Sequence, residues 1–163
     1  NATLFNFLNA NGIRSMQQLH EKISDLNTRY YDLRGEIVRA ERRIATLTER
    51  GEMWKQYSQY KAVRKQLDKV KPAKRELFEQ RHSRELLLYE AAARYLKELK
   101  ESGEEITPKA WEREISKLTA VKNVKYMDMK AMREELKAVE RLKKAADHLA
   151  RTEQSQKKEE PEL

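Results

Sequence analysis

The chain has 163 residues, four Gly, three Pro and no Cys, so a collagen-like chain, a many-stranded β fold, a disulfide scaffold and a thiolate metal site are all excluded. Its 35 basic and 27 acidic side chains leave a net charge of +8. No apolar run approaches the roughly 18 residues that a membrane span needs, and the length suits one domain.

In chain order, Leu4, Phe5, Phe7 and Leu8 predict a short helix. Asn11-Gly12 closes it, with Gly12 in the left-handed conformation, and Ile13 packs back. Residues 1–14 thus form a short helix and turn ahead of a helical domain over 15–150. Ser15 is the expected N-cap of a long helix over 15–70. Along it, Met16, Leu19, Ile23, Leu26, Tyr30, Leu33, Ile37, Ala40, Ile44 and Leu47 recur at alternating spacings of three and four. That is the a/d seam of a coiled coil. A stripe so narrow packs against another helix rather than a broad core.

The seam falters at Gly51. Apolar positions resume in a shifted frame with Trp54, Tyr57, Tyr60, Val63, Leu67 and Val70. Gly51 is either a register adjustment or hinge, or a helical Gly tolerated at a cost of about 1 kcal/mol. Pro72 stops the helix. A second helical stretch over 74–100 carries Phe78, His82, Tyr89, Ala92, Leu96 and Leu99, with a break near Ser83. Residues 101–105 are a loop. Thr107 as N-cap and Pro108 at the first helical position start a third helix. Its stripe is Trp111, Ile115, Leu118, Tyr126, Met129, Met132, Leu136, Val139, Ala146 and Leu149, and its expected end is near Ala150. The charged tail over 151–163 has almost nothing to bury and reads as disordered.

The expected fold is therefore all-α: an elongated antiparallel helical hairpin or coiled coil of about three main helices plus a short N-terminal helix. The seam could close within the chain or between two chains, and both remain open.

The charge is sorted along the chain. Residues 1–37 and 85–163 are each balanced, so the whole +8 lies in residues 38–84. The cations there include Arg39, Arg42, Arg43, Arg50, Lys55, Lys61, Arg64, Lys65, Lys69, Lys71, Lys74 and Arg75. Such sorting marks either a surface for a polyanion such as DNA or the solvated face of a long helix. Trp54, Tyr57 and Tyr60 among Lys55 and Lys61 could stack on unpaired bases or serve as helix packing.

Little in the sequence points to catalysis. His20, His82 and His148 are far apart, with no zinc-type spacing. No Gly-rich phosphate loop or nucleophile elbow occurs. The carboxylates interleave with Lys and Arg at helical spacings, as in Glu134, Glu135, Lys137 and Arg141, which is the pattern of surface ion pairs. No cofactor is expected. Tyr30, on the seam, is expected in the core rather than as a nucleophile.

Several segments resemble the C-terminal region of mobilisation relaxases from Gram-positive gut bacteria. They are Phe78-Glu79-Gln80-Arg81-His82, Leu88-Tyr89-Glu90-Ala91-Ala92, Pro108-Lys109-Ala110-Trp111-Glu112 and Lys117-Leu118-Thr119-Ala120-Val121-Lys122. Met132-Arg133-Glu134-Glu135-Leu136, Val139-Glu140 and Leu8-Asn9-Ala10-Asn11-Gly12-Ile13 extend the resemblance over nearly the whole chain. In that family an upstream domain nicks DNA with a tyrosine and a three-His metal site. No such cluster stands here, so no catalytic residue is carried over. The resemblance implies a non-catalytic C-terminal domain that assists DNA processing. Its expected partners are DNA, mobilisation or coupling proteins and a second copy of the chain, in the cytoplasm. Asn1 in place of Met fits a fragment with a catalytic domain upstream. The alternative is a coiled-coil interaction module with no nucleic-acid role.

Overall fold

The computed structural model describes Asn6 and residues 8–159, the side chains of 157–159 excepted. Leu4, Phe5 and Phe7 lie outside the described residues. Asn6 and residues 8–10 are helical and form α1. The chain then turns at Gly12, whose φ of 64° is the left-handed value expected. Gly12 N donates to Asn9 O at 3.2 Å and Ile13 N to Leu8 O at 2.8 Å, the paired bonds of a Schellman cap. Ile13 is buried, and Leu8 packs on the same cluster.

The long helix α2 spans Met16–Lys69, which is about 80 Å at 1.5 Å per residue. Ser15 caps it by accepting from Gln18 N at 3.2 Å, while the Gln18 side chain accepts from Arg14 N. The helix passes through Gly51 uninterrupted. It ends at Lys69, and after Val70 and Lys71 the next helix, α3, spans Pro72–Arg81. Lys71 is extended (φ −60°, ψ 142°), as the residue before a proline must be, and Pro72 occupies the first turn of α3. The expected break falls at His82, with φ −114° and ψ 22°, and α4 runs Ser83–Glu101. Gly103, at φ 91°, closes α4 with a second Schellman cap: Gly103 N to Lys100 O at 3.0 Å and Glu104 N to Leu99 O at 3.2 Å.

The last helix, α5, spans Pro108–Glu159. It starts where Thr107-Pro108 predicts but does not stop near Ala150. Residues 151–159 contain no Gly or Pro and are rich in Arg, Gln, Lys and Glu, all strong helix formers. Local propensity carries the helix on, although residues 151–156 are all exposed. Composition shows only that this segment has nothing to bury, which is a different property from being non-helical. No strand occurs among the described residues, and no described helix is long and apolar enough to cross a membrane.

The chain divides into two compact units, Asn1–Val38 with Asn123–Leu163, and Arg39–Lys122. In the first, α2 and α5 run antiparallel. Lys22 pairs with Glu135 at 4.0 Å, Arg133 donates to the Tyr30 hydroxyl at 2.8 Å, and Lys125 pairs with Glu36 at 3.0 Å. Between them lie Ile13, Leu19, Leu26, Leu136 and Val139, flanked by Leu8, Ile23, Tyr30 and Met132. In the second unit, α2 runs antiparallel to α4: Tyr95 donates to Glu49 at 3.4 Å and Gln56 to the Leu88 carbonyl at 2.6 Å. Leu47, Leu86, Ala92, Leu96 and Trp111 are buried there.

The predicted seam is thus buried inside the chain, with Leu19, Leu26, Ile37 and Leu47 at its deepest points. Ile23, Tyr30, Leu33, Ala40 and Ile44 are half-buried. Met16 departs from the pattern and is exposed, since it is the first residue of its helix. Tyr126 and Leu149, expected on the α5 stripe, are also exposed. Leu86, outside the predicted α4 stripe, is buried.

Candidate functional site

The positive charge concentrates in the second unit. Residues 39–122 hold 21 basic and 14 acidic side chains, a net +7, against +1 for the rest of the chain. The twelve cations singled out by sequence do not share one environment. Arg50 is buried, its guanidinium 3.6 Å from Glu104, and faces no external anion. It lies on the same side of α2 as the seam, so the shifted frame after Leu47 takes it inward. Arg43 forms a two-pronged bond to Glu114, Nε to Oε1 at 3.0 Å and Nη2 to Oε2 at 3.2 Å. That bond raises the Arg43 pKa and lowers that of Glu114, so both stay charged. Arg64 pairs with Asp68 one helical turn on, at 2.7 Å, and its pKa is likewise raised by that bond.

The other nine remain in solvent: Arg39, Arg42, Lys55, Lys61, Lys65, Lys69, Lys71, Lys74 and Arg75. Lys61, Lys65 and Lys69 lie along one row of α2 at helical spacing. Lys71, Lys74 and Arg75 follow at the α2–α3 turn, and α3 itself buries no residue.

Aromatic side chains gather beside this row. Tyr57 stacks on Trp54 with centroids 5.9 Å apart and on Tyr89 at 5.1 Å, with rings tilted by 27° and 24°. Lys61 Nζ sits 5.8 Å from the Tyr57 centroid, within cation–π range. Burial, then the hydrogen bond with Tyr57, raises the Tyr89 pKa. The three rings line a cleft of about 500 Å³ together with Ala93, Leu96 and Ile106. Lys61, Lys97 and Lys100 also line this cleft, and no carboxylate does. A larger groove of about 970 Å³ lies between α2 and the start of α5, lined by Leu47, Gly51, Trp54, Pro108, Trp111 and Ile115 among others.

Tyr30 is half-buried, and its hydroxyl accepts from Arg133, whose guanidinium lies 5.8 Å from the ring centroid. His82 contacts Phe78 at 4.4 Å and lies 2.7 Å from a Glu85 oxygen, a packing position as expected. His20 and His148 are exposed. No three His, Asp or Glu come together as metal ligands among the described residues. The sequence points to Trp54, Tyr57 and Lys61, but it gives Tyr89 only a place on the packing stripe and Lys97 and Lys100 no role. Those three lie on α4 and meet α2 only through the antiparallel pairing, which no local spacing shows. No family model matches the chain, and no curated protein or solved structure does either.

Proposed function

We propose that the chain is a helical structural and interaction module. The observation that carries this reading is the distribution of its apolar side chains. The α2 seam is spent inside the chain, yet Leu87 on α4 is 70% exposed and Met127 on α5 is 74% exposed, with Val124 one turn before it. Large apolar side chains in water on helical faces suit docking against another helix. A second copy of this chain presents such faces. Light scattering from micromolar to near-millimolar concentration tests the idea. The expected mass rises above 19.4 kDa, and Leu87→Glu with Met127→Glu holds it there. A constant monomer mass refutes self-association.

A second reading rests on the nine exposed cations in a unit of net charge +7. In it the module contacts DNA. With the resemblance to mobilisation relaxases, it would assist conjugative DNA processing in the cytoplasm, beside mobilisation or coupling proteins. Phosphate contacts release counterions, so affinity should fall steeply between about 50 and 200 mM salt. Arg39→Glu with Arg42→Glu should weaken binding and flatten that dependence. DNA binding that fails even at low salt removes this reading and leaves the first untouched.

A further inference from the structure

The cleft between α2 and α4 combines three features that occur together in no other cavity described above. Three aromatic rings line it, Trp54, Tyr57 and Tyr89, with Tyr57 stacked against the other two. Its cations, Lys61, Lys97 and Lys100, come from two helices and form no ion pair among the described residues. Its remaining lining is apolar, from Ala93, Leu96 and Ile106. The volume of about 500 Å³ falls within the span of small-molecule sites.

We propose that this cleft binds an unpaired nucleobase together with its phosphate. A planar, uncharged ring gains by extending this aromatic stack, where stacking is tolerant of base identity. The apolar lining of Ala93, Leu96 and Ile106 helps remove the ring from water. The phosphate, a compact anion, reaches the lysine ammonium groups, each a flexible point charge suited to phosphate. With no carboxylate on the lining, the anion meets no like charge within the cleft. A planar aromatic cation would instead be repelled by three lysines. A purely aliphatic ligand would leave all three without a partner. The proposal does not depend on the DNA reading, because a free nucleotide satisfies the same chemistry.

The test is an anisotropy titration of the full chain at low salt with three labelled probes. They are an oligothymidylate, an abasic deoxyribose-phosphate strand of equal length, and a duplex. Unlabelled thymidine monophosphate is the competitor. The expected result is binding of the oligothymidylate about tenfold tighter than the abasic strand, since the stacking contribution is lost with the base. Lys97→Glu with Lys100→Glu, both on the exposed face of α4, should abolish that preference. Lys71→Glu with Lys74→Glu, outside the cleft, should weaken both strands alike and keep it. Displacement by the monophosphate identifies free nucleotide as sufficient; its failure to displace identifies a strand as the source. Equal binding of the abasic strand and the oligothymidylate overturns the cleft while leaving general polyanion binding intact. So does a preference that survives the Lys97 and Lys100 reversal. Circular dichroism confirms that each variant remains helical.

Discussion

Gly51 and Gly103 invite the same substitution with opposite results. Gly51 lies in the interior of α2, and a Cβ built there meets nothing within 4 Å. Ala in a helix interior is favoured over Gly by about 0.8–1.0 kcal/mol, mostly through the entropy of the unfolded chain. Nothing in the folded structure opposes that gain, so Gly51→Ala should stabilise by about 1 kcal/mol. Gly103 also has open space around its Cβ, but its φ is +91°. A side chain there strains the left-handed cap that closes α4, at a cost of about 1–2 kcal/mol that the entropic gain only partly offsets. Urea titrations followed by helical circular dichroism measure both. The midpoint should rise for Gly51→Ala and fall for Gly103→Ala, with thermal shifts of about 2–4 °C per kcal/mol for a chain of this size. A destabilising Gly51→Ala would mean that the helix bends there or that the groove beside it is filled. A stabilising Gly103→Ala would refute the cap.

The buried seam gives a larger effect. Leu26 is 1% exposed, so Leu26→Ala should cost about 2–5 kcal/mol in a denaturant titration, whereas Met16→Ala at the exposed helix start should cost little. Arg50→Ala should destabilise by about 1–3 kcal/mol, and Arg50→Met should recover much of this, because the buried stem contributes packing as well as charge. Glu114 supplies a pH dependence. The Arg43 hydrogen bonds hold its carboxyl below the ordinary value of 4.5. Stability from this bond is complete above that value and is lost as pH falls through the lowered one. Acid titrations of the Glu114→Gln variant should therefore show a weaker decline below pH 4.5 than the parent, modest in size because both side chains are partly solvated.

The sequence by itself determined the fold class and most helix ends. Spacings of three and four are a local property of the chain, and they mark the faces of α2 and α5 without knowledge of the partner. Gly12, Pro72 and Thr107-Pro108 act through their own backbone chemistry, so their effects too were legible. The end of α5 was not. Polar composition there does not distinguish a solvated helix from an unstructured tail, and Arg, Lys, Gln and Glu serve either. Only the tertiary structure decided which helix the seam meets, and that it meets it within the chain. Pairing joins residues as distant as Arg43 and Glu114, 71 positions apart. It buries Arg50 from among cations that look equivalent in sequence, and withdraws Arg43 into an ion pair. It also brings Tyr89, Lys97 and Lys100 to Trp54, Tyr57 and Lys61. Net charge and periodicity are sums over a sequence. Which charges face water, and which aromatics share a wall, depends on the register between helices, and packing across the seam fixes that.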